Sequence, residues 1–254
     1  MNYELMENNK VFLKGEVVSK PVFSHEVFGE GFYELNLSVK RLSDNFDIIP
    51  ITVSERLLSI NNFSVGSMVA IKGQFRSYNK MVDNKSKLLL TVFVRDLIDY
   101  DESMNPNIIE LSGFICKEPI YRTTPFKREI CDMLLAVNRA YNKSDYLPCI
   151  AWGRNARFVK NIEVGQKVCL TGRIQSREYQ KKLGDELTTK TAYEISISKI
   201  WVNSDDSILK LNAENSIGQE FNQDGILVDK NSKIVPMGAC SKIENLTLAT
   251  EESC

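Results

Sequence analysis

The sequence predicts an all-β chain, with two copies of one small barrel in tandem followed by a largely irregular C-terminal tail. Three observations lead there. The first is a repeat. KVFLKGEVVSKPVF (10–23) aligns with NIIELSGFICKEPIY (107–121), which puts Gly15 on Gly113 and Pro21 on Pro119, both 98 residues apart. LSVKR (37–41) falls on LAVNR (135–139) and Pro50 on Pro148 at the same spacing; VGSMVAIKGQFRS (65–77) falls on VGQKVCLTGRIQS (164–176) at a spacing of 99. One residue is therefore inserted in the second copy between Pro148 and Gly165. A shared register of glycines and prolines marks duplication of a unit of roughly 95 residues, the size of a small domain. The second observation is strand-like composition, with runs rich in Val, Ile, Leu and aromatics punctuated by Gly, Pro, Asn and Lys. The third is order, with five strand-like runs and one short helix after the third of them.

The elements of the second copy follow in order. IIELSGFIC, DMLLAVNRAY, YLPCIAWG, QKVCLTGRIQSREY and AYEISISKIWV read as five strands. RNARFVKNIEVG, after the third strand, reads as one short helix, because Phe158 and Ile162 lie four apart and Gly165 follows its end. Five strands with a short helix after the third is the pattern of an OB-fold, a five-stranded Greek-key barrel. Gly113 and Gly172 suit the sharp bends such a barrel needs. A small β-sandwich is the structural alternative. The boundaries expected are a first OB-fold at 8–98, a linker at 99–106 (DYDESMNP), a second OB-fold at 107–202 and an acidic, flexible tail at 203–254.

The stretch YLPCIAWG raises a question. Alternate residues of a strand point to opposite faces. Leu147, Cys149 and Ala151 suit a core, yet Tyr146, Pro148, Ile150 and Trp152 on the other face are apolar too. The charge distribution bears on what that face meets. Residues 1–105 carry 12 Lys/Arg against 14 Asp/Glu, residues 106–203 carry 16 against 10, and residues 204–254 carry 4 against 9. A basic middle is masked by an acidic tail, and an anionic partner such as nucleic acid suits it. Six cysteines without a CxxC pair and a single histidine, His25, argue against a metal site or a metal cofactor. With no P-loop or catalytic constellation either, the chain reads as no enzyme and as needing no cofactor. The absence of a long apolar run or a secretory layout at MNYELMENNK gives the expectation of no membrane partner and a cytoplasmic, nucleoid-associated location.

LSGFICKEP, LLAVNRAY, DYLPCIAWGRNA, VGQKVCLTGRIQSREYQ and KTAYEISISKI, in that order over residues 108–202, resemble the bacterial and phage single-stranded DNA-binding proteins of the OB-fold type. The resemblance implies aromatics that stack on bases at Tyr141, Tyr146, Trp152 and Tyr179. Parity agrees. Arg173, Gln175, Arg177 and Tyr179 share one strand face, and so do Arg139 and Tyr141. Arg154 and Arg157 follow Trp152, and Lys181 and Lys182 lead to a hairpin tip at KLGDE. Basic side chains beside aromatics suit a groove for a single strand, where phosphates are neutralised while bases stack.

In the repeat register Tyr141 meets Ser43, Tyr146 meets Ile48, Trp152 meets Ser54 and Tyr179 meets Lys80. The first copy therefore reads as degenerate, keeping a core but little aromatic platform, with weaker contacts from Arg41, Arg76, Tyr78 and Lys80. The resemblance further implies a homodimer of four barrels, and recruitment of replication or repair proteins through the tail. The chain ends TLATEESC where the family ends in an acidic run with a Pro-Phe pair, which weakens that last expectation. Two rival functions fit the same residues. One is a primosome-like module that binds protein, since Tyr, Trp and Arg also make protein hot spots. The other is single-stranded RNA binding.

Overall fold

The structure is a computed structural model of the chain, and it describes residues 7–41, 43–60, 63–82, 85–99, 103–183 and 186–202. The acidic tail and its expected flexibility lie outside the described residues.

The first half runs β1 (Asn9–Val17), β2 (Val22–Val27), β3 (Glu30–Lys40), β4 (Phe46–Ser54), α1 (Glu55–Ile60), β5 (Met68–Val82) and β6 (Lys85–Leu97). The second runs β7 (Asn107–Ile115), β8 (Ile120–Thr123), β9 (Glu129–Arg139), β10 (Lys143–Trp152), α2 (Arg154–Val159), β11 (Lys167–Leu183) and β12 (Glu186–Val202). In the first half β1 pairs with both β3 and β5, β3 with β4, β4 in parallel with β6, and β6 with β5. That ring of five closes a barrel, and β7, β9, β10, β12 and β11 close a second one in the same way. The fold is two tandem OB-folds, as the sequence predicts, with α2 directly after the third barrel strand.

Each half also has a sixth segment that the sequence does not announce. Among the described residues β2 pairs only with β3, and β8 only with β9, as edge strands outside the ring.

Alternation builds the cores. Along β1, Val11, Leu13 and Val17 point inward while Lys10 and Glu16 face out. Phe75, Leu37, Ile49 and Ile51 fill the first barrel, and Leu135, Leu147, Ile115 and Ile174 fill the second. The glycines of the repeat mark close crossings. A Cβ on Gly15 would lie 2.6 Å from the Ser38 carbonyl oxygen, and one on Gly113 would lie 2.5 Å from that of Ala136. These are the points where β1 bends onto β3 and β7 onto β9, and only glycine lets two backbones approach so closely.

The inserted residue of the second copy can be located. Ser54 and Trp152 are in register at a spacing of 98, and each ends its strand. The helices that follow start at Glu55 and Arg154, a spacing of 99. The extra residue is Gly153, at φ +53°, a left-handed conformation that glycine adopts without strain.

The two barrels share one sheet. β1 pairs antiparallel with β7, with Val11 opposite Ile109 at the centre of the ladder. These two are repeat equivalents, so a local two-fold passes between them. Reciprocal contacts flank this axis. Asp47 Oδ1 accepts from the Ser176 N–H (2.7 Å) and hydroxyl (3.1 Å), while Asp145 Oδ1 accepts from the Ser77 N–H (2.7 Å). Asp47 and Asp145 are repeat equivalents, as are Ser77 and Ser176. The chain is folded as a dimer of its own halves.

Candidate functional site

The second face of YLPCIAWG is divided among several neighbours. Leu147, Cys149 and Ala151 are buried in the core, as their parity predicts. On the outer face Ile150 is also buried, Tyr146 and Pro148 are half-buried, and Trp152 is 38% exposed at the end of β10. In the first barrel, Ser54 at the same position accepts from the Leu57 N–H (3.4 Å) and caps α1. With Gly153 inserted, no side chain caps α2, and the position before it is free to present an indole.

Tyr141 stands at the tip of the β9–β10 hairpin and is 88% exposed. It and Asn142 have left-handed φ of +62° and +52°, in the three-residue turn that the Arg139–Lys143 pair closes. A bulky side chain in this region costs of order 1 kcal/mol, a cost that clusters at functional positions.

On β11, Arg173, Gln175, Arg177 and Tyr179 lie on one face, opposite Ser196, Glu194, Ala192 and Lys190 of β12. Arg177 and Tyr179 are half-buried there, and the Gln175 amide donates to Glu194 (2.6 Å). Lys181 and Lys182 lie on the β11–β12 hairpin, opposite Thr188 and Leu187; their side chains, like that of Lys80, lie outside the described residues. Arg154 is exposed in the first turn of α2, and Arg157 bridges to Glu129 (3.1 Å), whose other oxygen accepts from the Tyr121 hydroxyl (2.5 Å).

Four of the arginines expected on a strand path stand at the seam between the barrels. Arg41 donates to Asp47 through Nε (2.8 Å) and a terminal nitrogen (2.6 Å), and to the Ser176 carbonyl (3.0 Å). Arg139 faces the fully buried Asp145 carboxylate at 3.4 Å, and Arg76 lies near the same group. Burial pushes the Asp145 carboxyl above the ordinary carboxylate range, against the pull of the Ser77 N–H and both arginines. Arg173 is 3.9 Å from Asp47 and bonds Gln175. A cleft of about 160 Å³ opens at this seam, lined by Lys40, Arg41, Asp47, Asn105, Arg173 and Ser198 among others.

Sequence register alone misses the aromatics of the first barrel's outer face, because they stand at other positions than in the second. His25 stacks on Phe32 (centroids 5.1 Å apart, 12° between planes), Phe32 meets Phe93 at 5.6 Å, and the Arg76 guanidinium lies 4.5 Å over Phe93. Tyr78, on the same strand face as Arg76, donates to Glu34 (2.8 Å); burial first, and then this bond, pushes its phenol upward. The alternation of GFYELNLS, with Leu35 and Leu37 inward and Phe32 outward, is the signal that could have found this column.

Among the described residues no group of three His, Cys, Asp or Glu could hold a metal ion, and no helix is long and apolar enough to cross a membrane.

Residues 106–202 match the model of the single-strand binding protein family. Single-stranded DNA-binding protein 1 of Streptococcus pyogenes is 31% identical over 88 residues, which cover 32% of this chain and 68% of that protein. The chain belongs to the single-strand binding protein family. Single-stranded DNA-binding protein 1 of Staphylococcus aureus is 34% identical over 85 residues, 31% of this chain and 51% of that one, so the chain spans about half the length of the first curated relatives it matches. Among solved structures, the wild-type single-stranded DNA binding protein from Thermus aquaticus superposes with a TM-score of 0.59 at 18% identity, over 77% of this chain and 92% of that one. That likeness shows the fold.

Proposed function

We propose that this family member binds single-stranded DNA without sequence preference and protects it during replication, recombination and repair, as a non-enzymatic protein of the cytoplasm and nucleoid. The observation that carries the reading is Trp152, an exposed indole where the sister barrel folds with a capping serine. The fold does not require an aromatic there. With Tyr141 at the hairpin tip, Tyr146 half-buried between them and Tyr179 on β11, it offers stacking surfaces worth about 1–3 kcal/mol per base. Arg154, Arg157, Arg177, Lys181 and Lys182 supply the phosphate contacts. Arg41 and Arg173 extend the path at the seam cleft, while Arg76 and Arg139 act chiefly in holding the barrels together.

Titration with poly(dT), poly(rU) and duplex DNA at two salt concentrations tests this. A Trp201→Phe background leaves Trp152 as the sole indole. Quenching by poly(dT), weakened by salt, supports the reading. Equal quenching by poly(rU) would redirect it to RNA, and no quenching with any polymer would refute it.

The same reading includes a homodimer of four barrels. The sheet β6-β5-β1-β7-β11-β12 turns one face away from both cores, where Phe12, Ile108 and Phe114 are half-buried and Met68 and Trp201 are exposed. The mass in solution checks it, and a monomer at micromolar concentration would remove this part.

A further inference from the structure

The sheet order begins at β2 and ends at β8, so each of these strands leaves one edge unpaired among the described residues. Unpaired edges are templates for pairing with another chain, and proteins usually blunt them with charge or cover. Here all six residues of β2 are exposed, including Val22, Phe23 and Val27. At the other end Ile120 on β8 is exposed as well.

Each edge hairpin also carries a bare phenylalanine at its tip, Phe28 at 105% exposure and Phe126 at 87%. The two are 98 apart, so they occupy the same position of the repeat. Neither is buried in its own core; with Val22, Phe23 and Val27 at one end and Ile120 at the other, they put exposed apolar side chains beside an open strand edge.

The charges around these tips are opposite. Residues 22–34 hold Glu26, Glu30 and Glu34 and no Lys or Arg. The equivalent residues 120–132 hold Arg122, Lys127 and Arg128 against Glu129 and Asp132; Asp132 pairs with Arg122 (2.9 Å) and Glu129 with Arg157 (3.1 Å), which leaves the exposed Lys127 and Arg128 to set the charge of the tip. Glu30 and Arg128 are repeat equivalents, so the reversal falls on one structural position. An acidic edge is a poor surface for phosphates and a good one for a basic partner.

We propose that this protein associates head to tail, the β2 edge and Phe28 tip of one copy docking on the β8 edge and Phe126 tip of the next. Such a contact is heterologous, so each bound copy still offers an edge to the next and copies add head to tail. On the single-stranded DNA reading, which this deepens, the arrays line successive copies along a strand and make binding cooperative.

Charge reversal tests it. A Glu26→Lys/Glu30→Lys variant has two basic edges, and a Lys127→Glu/Arg128→Glu variant has two acidic ones. Sedimentation velocity of DNA-free protein at low salt, with circular dichroism to confirm folding, reads association. Each variant alone should need about tenfold more protein than the wild type to associate beyond its smallest species, as like charges replace attractive ones. An equimolar mixture should restore wild-type behaviour, because each basic edge then meets an acidic one. Wild-type association by either variant alone, or a mixture no better than its parts, overturns the proposal. Quenching by a short oligo(dT) is measured separately. Its loss in the wild type would refute the DNA reading and leave the association result standing.

Discussion

Asp47→Ala should loosen the junction between the barrels. The Asp47 side chain is 1% exposed and makes four short contacts, two from Arg41, one from the Ser176 N–H and one from the Ser176 hydroxyl. Removing the carboxylate leaves the Ser176 amide without its acceptor, at about 1–3 kcal/mol. The Arg41 side chain is 27% exposed, so water replaces part of what it loses, and that half of the loss is discounted to about 1 kcal/mol. The total is about 3 kcal/mol, a fall of roughly 6–12 °C in melting temperature for a chain of this size. Asp47→Asn keeps an acceptor for Ser176 and should lose about half as much. The assay is thermal or urea unfolding, with amide hydrogen exchange at Ser176 as the local readout. Exchange there should accelerate while Leu170 and Ile174 stay protected. A loss below about 1 kcal/mol, or exchange that rises evenly across the barrel, would refute the assignment of Asp47 as a staple.

Trp152→Ala should weaken poly(dT) binding by about 1–3 kcal/mol and, because the indole is only 38% exposed, should also cost some stability; titration is read at a temperature where urea melts show the variant folded. Gly113→Ala should destabilise strongly, by about 2 kcal/mol or more, because its Cβ would meet the Ala136 backbone, and the urea midpoint reports it. Asp145 has a folded-state pKa raised above its unfolded value, so its contribution to stability is complete below the unfolded value and is lost as pH rises through the folded one. Stability measured from acid to neutral pH should show that decline, and Asp145→Asn should flatten it. Burial pushes the Cys131 thiol up to about 11, so alkylation at neutral pH, mapped by mass spectrometry, should spare Cys131 until the chain unfolds.

Much of this architecture is visible in the sequence because alternation and repeat spacing are local signals. The five barrel strands, α2 and the crossing glycines follow from them. β2 does not, because both its faces meet solvent and no alternation exists to detect. Parity puts Arg139 and Tyr141 on one strand face, but Tyr141 lies beyond β9 in the hairpin turn, and Arg139 has the parity of the buried Val137, on the side where Asp145 meets its guanidinium at 3.4 Å. A signal for the seam was present. Arg41 and Asp47 are spaced as Arg139 and Asp145 are, and a repeated Arg and Asp pair in a β unit invites a structural reading. Parity puts Ile150 on the open face, yet it is buried, because β10 lies inside the sheet with Asp132 of β9 and Ser196 of β12 on either side of it, which one strand's sequence does not encode. The aromatic column of the first barrel does not follow from repeat register, because its rings stand on β2, β3 and β6 at positions that are not aromatic in the second barrel, and a sheet face can be furnished from any strand that crosses it.

The β1–β7 junction has a consequence for dilution. Two separate subunits joined by one short ladder and a few buried polar contacts part when their concentration falls below the dissociation constant. Here the partner is carried on the same chain, a short connection away, at an effective concentration in the millimolar range whatever the amount of protein present. The junction therefore need not be strong to be always formed. Its two sides are also separately encoded, so a change such as Glu30 against Arg128 alters one barrel and leaves its twin untouched.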